Sequence, residues 1–182
     1  MIVLVGYVSK SGQTRAIARQ VMHDLTAAGA SVELLPLDDA DGNDVRRYDA
    51  VVLAAAVYAN KYPKSLSEFV HQNAAPLNAR PTLFLSVSLT AAGHDSADWA
   101  GLRSIETNLT KATGWKPTRV IQVAGAYMPS SYDVFTRFIM RRILAERDAG
   151  QNPDHDHIYT DWQDLKNEVT VWWQETVQPT LS

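Results

Sequence analysis

Short apolar runs alternate along this chain with segments whose apolar residues recur at helical spacing. Ile2–Val8, Ala50–Val57, Thr82–Leu89 and Val120–Ala126 are nearly continuous apolar runs of strand length. Such runs mark strands buried on both faces of a parallel sheet. Ser31–Leu37 is amphipathic and reads as an edge strand. Gln13–Ala28 places Ile17, Val21 and Leu25 on one helical face, with Gly29 as its stop. Pro63–Gln72 opens on a proline suited to a first turn and carries Leu66, Phe69 and Val70. A weaker helix is predicted over Arg103–Thr113, ended by Gly114 and Pro117.

The C-terminal pattern is clearer. Thr160-Asp161-Trp162-Gln163 has the form of a capping box, in which the Thr hydroxyl and the Gln side chain satisfy each other's amides. Trp162, Leu165, Val169 and Trp172 or Trp173 follow at helical spacing and read as core. Tyr127–Tyr159 breaks the alternation, being longer than a usual connection. Inside it Phe135, Phe138, Ile139 and Ile143 share a helical face, Arg137, Arg141 and Arg142 lie nearby, and Gly150–Asp154 is turn-like. The whole predicts an α/β three-layer sandwich, one domain over 1–178, with an inserted segment of about 127–159 before the last helix.

Composition narrows the chemistry. The chain has 182 residues and no cysteine, which removes disulfides, thiolate metal sites and thiol redox chemistry, and fits a reducing cytoplasm. Any redox work then needs a bound cofactor. A formal charge of −3 argues against non-specific nucleic-acid binding. No apolar run reaches the roughly 18–20 residues of a membrane span, and Met1–Val5 lacks the basic start of a secretory signal.

The candidate chemistry sits in Val8-Ser9-Lys10-Ser11-Gly12-Gln13-Thr14-Arg15, between the first strand and the first helix. A helix starting near Gly12 aims free amides at the crevice beyond the strand ends, which suits an anion. Ser9, Ser11 and Thr14 add hydroxyls, and Gly12 permits close backbone approach. Other phosphate loops do not match. The Walker pattern G-x-x-x-x-G-K-[ST] is absent, and Gly6 and Gly12 stand too far apart for G-x-G-x-x-G. A phosphatase loop lacks its cysteine, and a receiver domain lacks an aspartate where Ala56-Val57-Tyr58 stands. An unliganded polar turn remains the alternative.

S-x-S-G-x-T in this position resembles the [ST]-x-[ST]-G-x-T fingerprint of flavodoxin-like proteins, whose loop binds the 5′-phosphate of FMN. Nearly the whole chain resembles one branch, the menaquinone-dependent protoporphyrinogen oxidases of bacteria. Ser9–Arg15, Tyr48-Asp49 before Val51–Ala56, Glu68-Phe69-Val70, Phe84-x-Ser86-Val87 and Ala124-Gly125-Ala126 carry the likeness. So do Tyr132-Asp133 with Arg137-Phe138, and Tyr159-Thr160-Asp161-Trp162. The resemblance implies a five-stranded sheet in the order 2-1-3-4-5. It also implies an FMN enzyme that takes hydrogens from protoporphyrinogen IX and passes electrons to a quinone, and so a place in haem biosynthesis. A flavodoxin-type electron carrier, an FMN quinone reductase with another substrate, and a flavin-free scaffold are the alternatives.

By the same resemblance, cofactor contacts fall on Ser9, Lys10, Ser11, Gly12, Gln13 and Thr14 for the phosphate. Tyr58, Ala59, Asn60 and Tyr62 after the third strand, with Leu89, Thr90, Ala91 and Gly93 after the fourth, flank the ring. Backbone amides of the first of these loops suit flavin N5 and O4. The family typically has an Arg and a His in that loop, where this chain reads Tyr58-Ala59-Asn60-Lys61-Tyr62; Thr90–Asp95 also lacks a basic cluster. No catalytic residue is assigned. Trp99 and His94 read first as packing and as an exposed loop residue, and His155-Asp156-His157 as a solvated loop without a metal. The Arg-bearing helix offers peripheral contact with an anionic membrane, with a solvated face as its alternative.

Overall fold

The computed structural model describes residues 1–131 and 134–177. Tyr132, Asp133, the side chain of Phe135 and residue 178 lie outside them. Five parallel strands, β1 (Ile2–Val8), β2 (Ser31–Pro36), β3 (Ala50–Ala56), β4 (Thr82–Ser88) and β5 (Arg119–Ala124), form a sheet in the order β2-β1-β3-β4-β5. The fold is that of flavodoxin, as expected. After β2 the chain returns to the other side of β1, so the β1/β3 boundary is the topological switch point where open α/β sheets bind ligands. Val8 stands opposite Ala55, and Ala56 opposite Val87, so the loops leaving β1, β3 and β4 start level.

Helices cover both faces. α1 (Gln13–Ala27) and α6 (Trp162–Trp172) pack Ile17, Val21, Leu25, Leu165, Val169 and Trp172 on one side. α2 (Lys64–Gln72), the short α3 (Ala74–Asn78) and α4 (Ser96–Thr113) cover the other with Leu66, Phe69, Leu77 and Leu109. β3 and β4 are buried along their whole length, which is why their sequences are apolar without alternation. Gly6 in β1 is a packing requirement: a Cβ there would lie 2.7 Å from Leu37 Cδ2 and 2.9 Å from Leu53 Cδ2.

Several expected boundaries move. α4 begins at Ser96, not Arg103, because the Asp95 carboxylate accepts from the amides of Ala97 (2.8 Å) and Asp98 (3.1 Å) and caps it there. Pro63 precedes α2 as its N-cap rather than entering the first turn. The capping box at Thr160 does not form. Asp161 caps α6 by accepting from Gln163 N–H (3.0 Å) and Asp164 N–H (2.9 Å), and the Gln163 side chain turns instead to Asn167. A carboxylate is the stronger acceptor, and Thr160 points inward. Trp162 is 38% exposed and leaves the core stripe, which Leu165, Val169, Trp172 and Trp173 maintain.

Between β5 and α6 the long segment is an organised excursion. β6 (Ala126–Tyr127) and β7 (His157–Ile158) pair antiparallel at its root, α5 (Val134–Arg147) forms its body, and Tyr159 N–H bonds Gly125 C=O at 3.0 Å. Tyr127 is fully buried and donates to Pro153 C=O (2.8 Å), while Arg141 pairs with Asp154. α5 buries Leu144 but leaves Phe138 63% and Ile139 41% exposed. The turn-like stretch at Gly150–Asp154 is therefore fastened from both sides.

Candidate functional site

The loop after β1 is built to present amides. Gly12 adopts φ 95° as the N-cap of α1, with nothing within 4 Å of where a Cβ would be. That left-handed geometry strains any L-residue, and glycine meets it without cost. The first helical bond runs from Ala16 N–H to Gly12 C=O (3.0 Å), so the amides of Gln13, Thr14 and Arg15 precede the helix's own ladder. No acidic residue stands in the first turn to oppose an incoming anion. Ser9 Oγ accepts from Gly12 N–H at 3.1 Å, which tightens the turn and leaves its O–H available as a donor. Thr14 and Gln13 are buried, Ser11 half-buried and Lys10 exposed.

The loop after β3 comes against this one. The Lys10 ammonium lies 5.0 Å from the Tyr58 ring centroid. Burial raises the Tyr58 phenol pKa, and a hydrogen bond with Ser11 offsets part of that rise. Ala59 (φ 47°) and Asn60 (φ 61°) are both left-handed. Reciprocal bonds, Tyr58 N–H to Lys61 C=O (2.9 Å) and Lys61 N–H to Tyr58 C=O (3.0 Å), close the turn around them. A non-glycine residue in this region costs on the order of 1–2 kcal/mol, and such strain gathers where a ligand must be met by a fixed backbone. Tyr62 goes elsewhere. It packs on the opposite face of the sheet from Tyr58, edge-on to Phe84 (5.1 Å), with its hydroxyl 2.8 Å from Ser86 Oγ. Burial raises its pKa strongly, so it stays a neutral phenol.

The loop after β4 is braced rather than strained. Ser88 Oγ accepts from Ala91 N–H (3.1 Å), and Ser88 C=O accepts from Gly125 N–H (2.9 Å). Thr90–Ala92 forms a helical turn, and Trp99 donates its indole N–H to Gly93 C=O at 2.8 Å. Trp99 thus fastens this loop, and His94 is exposed. At the excursion, Asp156 receives Ser130 N–H (3.1 Å) and His157 lies in β7. Among the described residues no group of three His, Asp or Glu side chains is placed to hold a metal ion.

Three loops therefore start level at the carboxyl ends of adjacent strands, one with free amides for an anion, one held in a left-handed turn and one braced by side-chain bonds. A family model described as a flavodoxin domain matches residues 4–154. The chain belongs to the flavodoxin domain family. As a member it is an FMN flavoprotein, and the open, carboxylate-free amide cradle at Gly12 fits that cofactor's phosphate. Flavodoxin 1 and flavodoxin 2 from Bacillus cereus share its architecture. Their TM-scores are 0.57 and 0.56 at 11% and 15% identity, with 96% of this chain and 99% of each of theirs covered. Along its full length the chain is also 27% identical to the protoporphyrinogen IX dehydrogenase [quinone] of Escherichia coli strain K12, covering 99% of that protein.

One contact had no signal in the sequence. Gln13 donates its side-chain amide to Thr160 Oγ1 at 2.8 Å, and Thr160 donates to Ala124 C=O at 2.6 Å. The partners are 147 residues apart, and no local pattern links them.

Proposed function

We propose that this chain is an FMN-dependent oxidoreductase that removes hydrogen from protoporphyrinogen IX and delivers the electrons to a quinone. What supports this most is the closed excursion between β5 and α6, in a chain alignable end to end with a protoporphyrinogen IX dehydrogenase. A carrier that only exchanges electrons has no need of a 35-residue side structure beside its cofactor. In this reading residues 1–178 are one domain, and the excursion forms part of the substrate site.

The amides of Gln13 and Thr14 and the hydroxyls of Ser11 and Thr14 hold the phosphate, with Lys10 as a nearby positive charge. Tyr58 and the backbone of Ala59 and Asn60 flank the ring on one side, and Leu89, Thr90, Ala91 and Gly93 on the other. Bound there, FMN supplies the acceptor for a hydride from the substrate. The loops orient it and exclude water, and the second hydrogen leaves as a proton to solvent. No dedicated acid or base is required. The exposed Phe138 and Ile139 on α5, with Arg142 beside them, suit weak contact with an anionic membrane where the quinone dissolves. In this reading the protein works in the cytoplasm, at the inner membrane face. Among the described residues no helix is long and apolar enough to cross a membrane.

A quinone reductase with a different substrate is the second reading. It is favoured by the scarcity of cations at the loops: Lys61 alone in Tyr58–Tyr62, and no Arg or Lys in Thr90–Asp95. Anaerobic mixing of the FMN-loaded protein with protoporphyrinogen IX separates the two. Bleaching of the flavin by the substrate, then recovery on adding a menaquinone analogue, is expected. A flavin inert to the porphyrinogen but reducible by another donor overturns the first reading in favour of the second.

A further inference from the structure

The phosphate loop and the excursion share one buried hydrogen-bond chain. Gln13 is the first residue of α1 and supplies one of the amides that precede the helical ladder. Its side chain is buried and ends on Thr160. Thr160, also buried, stands between β7 and α6 where the excursion rejoins the sheet. Its hydroxyl both accepts and donates. It accepts from Gln13 Nε2 (2.8 Å) and donates to Ala124 C=O (2.6 Å), the last residue before the excursion departs. One residue further out on each side, Tyr159 N–H bonds Gly125 C=O (3.0 Å) and closes the neck.

We infer that Gln13 and Thr160 form a clamp that sets the phosphate loop in its binding shape and couples cofactor binding to closure of the excursion. The inference rests on Ser9–Thr14 being the phosphate loop. A loop held in place before binding loses little entropy when the phosphate arrives, so the clamp raises affinity without touching the ligand. Gln13 couples the two because its backbone serves the anion while its side chain serves the neck. Whatever favours the closed neck then favours the bound loop, and the reverse holds equally. Both are positioning residues.

The clamp is tested on apoprotein stripped of flavin and titrated with FMN and, separately, with riboflavin, which lacks the phosphate. Thr160→Val orphans the Gln13 amide and the Ala124 carbonyl, Thr160→Ser keeps both bonds, and Gln13→Met removes only the donor. Losing a buried hydrogen bond of this kind is expected to raise the FMN Kd about tenfold in Thr160→Val and Gln13→Met. Thr160→Ser should restore it, and riboflavin binding should change little. Hydrogen exchange over residues 137–156 gives a second readout. FMN should slow it in the wild type and in Thr160→Ser, and leave it unaltered in Gln13→Met, whose neck retains the Thr160–Ala124 bond. Unchanged FMN affinity and FMN-dependent protection in Gln13→Met overturn the clamp, even if Thr160→Val fails to fold. Equal affinity of the wild type for FMN and riboflavin overturns the phosphate-loop reading itself, and the clamp with it.

Discussion

The loop at Ser9–Thr14 and the excursion at Gly125–Tyr159 meet at one end of the same sheet but are made in opposite ways. The loop is local: its turn, its cap and its free amides all come from six consecutive residues. The excursion is held by pairs far apart in the chain, Tyr127 to Pro153, Ser130 to Asp156 and Arg141 to Asp154. A phosphate is small and the same in every FMN protein, so a short backbone motif suffices to hold it. A larger substrate needs shape, and shape here comes from tertiary packing around a helix. Under the proposed function, cofactor identity and substrate identity are therefore written at different levels of the structure.

The sharpest way to break that division is to remove each region in turn. Replacing Ala126–Ile158 with a short glycine link should cut turnover of the porphyrinogen by at least about 100-fold, through loss of substrate positioning. The FMN Kd should stay within about tenfold, because Thr160 and Gln13 remain. The Ser11→Ala, Thr14→Ala double variant should do the reverse. It is expected to weaken FMN by tens of fold, at roughly a kcal/mol or more per lost bond to a charged phosphate, with turnover restored at saturating FMN. Flavin fluorescence titration and steady-state turnover check both arms. Equal loss of FMN affinity in the two variants would erase the distinction.

The same division explains what could be read in advance. Strands β1, β3 and β4 and the phosphate loop follow from short-range patterns, namely fully apolar runs and S-x-S-G-x-T before an amphipathic helix. Ser96–Leu102 was not legible as helix because its apolar spacing is broken by Gly101, and the deciding signal is the single cap at Asp95. The two-residue strands β6 and β7 are too short for any periodicity, and exist because each is the other's partner. Thr160 misled for a related reason. Its sequence neighbours fit a cap, while its real partners, Gln13 and Ala124, are supplied by the fold. Tyr58 and Tyr62, four residues apart, look equivalent in sequence, yet the left-handed turn between them sends their rings to opposite faces.

A smaller effect sharpens the comparison within the excursion. Tyr127→Phe removes the part-buried hydrogen bond to Pro153 C=O, which costs about 1 kcal/mol. A fall in thermal midpoint is expected, with a raised KM for the substrate and a smaller rise in the FMN Kd. A shift in FMN affinity as large as that in KM would mean that the excursion acts through the loop rather than on the substrate.

The smallest expected effect appears only in alkali. Tyr159 donates its phenolic proton to Asp148 Oδ2 (3.0 Å) inside the excursion. Burial, then that hydrogen bond and the negative charge of Asp148, push its pKa up to about 12 from an ordinary value of 10.0. The folded protein thus keeps a proton that the unfolded chain releases from about pH 10 upward. Stability from this group is intact below pH 10 and is lost as the pH rises toward 12. Burial also raises the phenols of Tyr127, Tyr58 and Tyr62, so the wild type should lose stability steeply across this window. Tyr159→Phe should start lower near neutrality, having lost a hydrogen bond, and then fall less steeply by the share of one proton. Denaturant midpoints measured at half-unit steps from pH 9 to 12 give the slope. An identical slope in the variant would mean that Tyr159 ionises in the folded state as readily as in the unfolded chain, and that its bond to Asp148 does not hold the excursion closed.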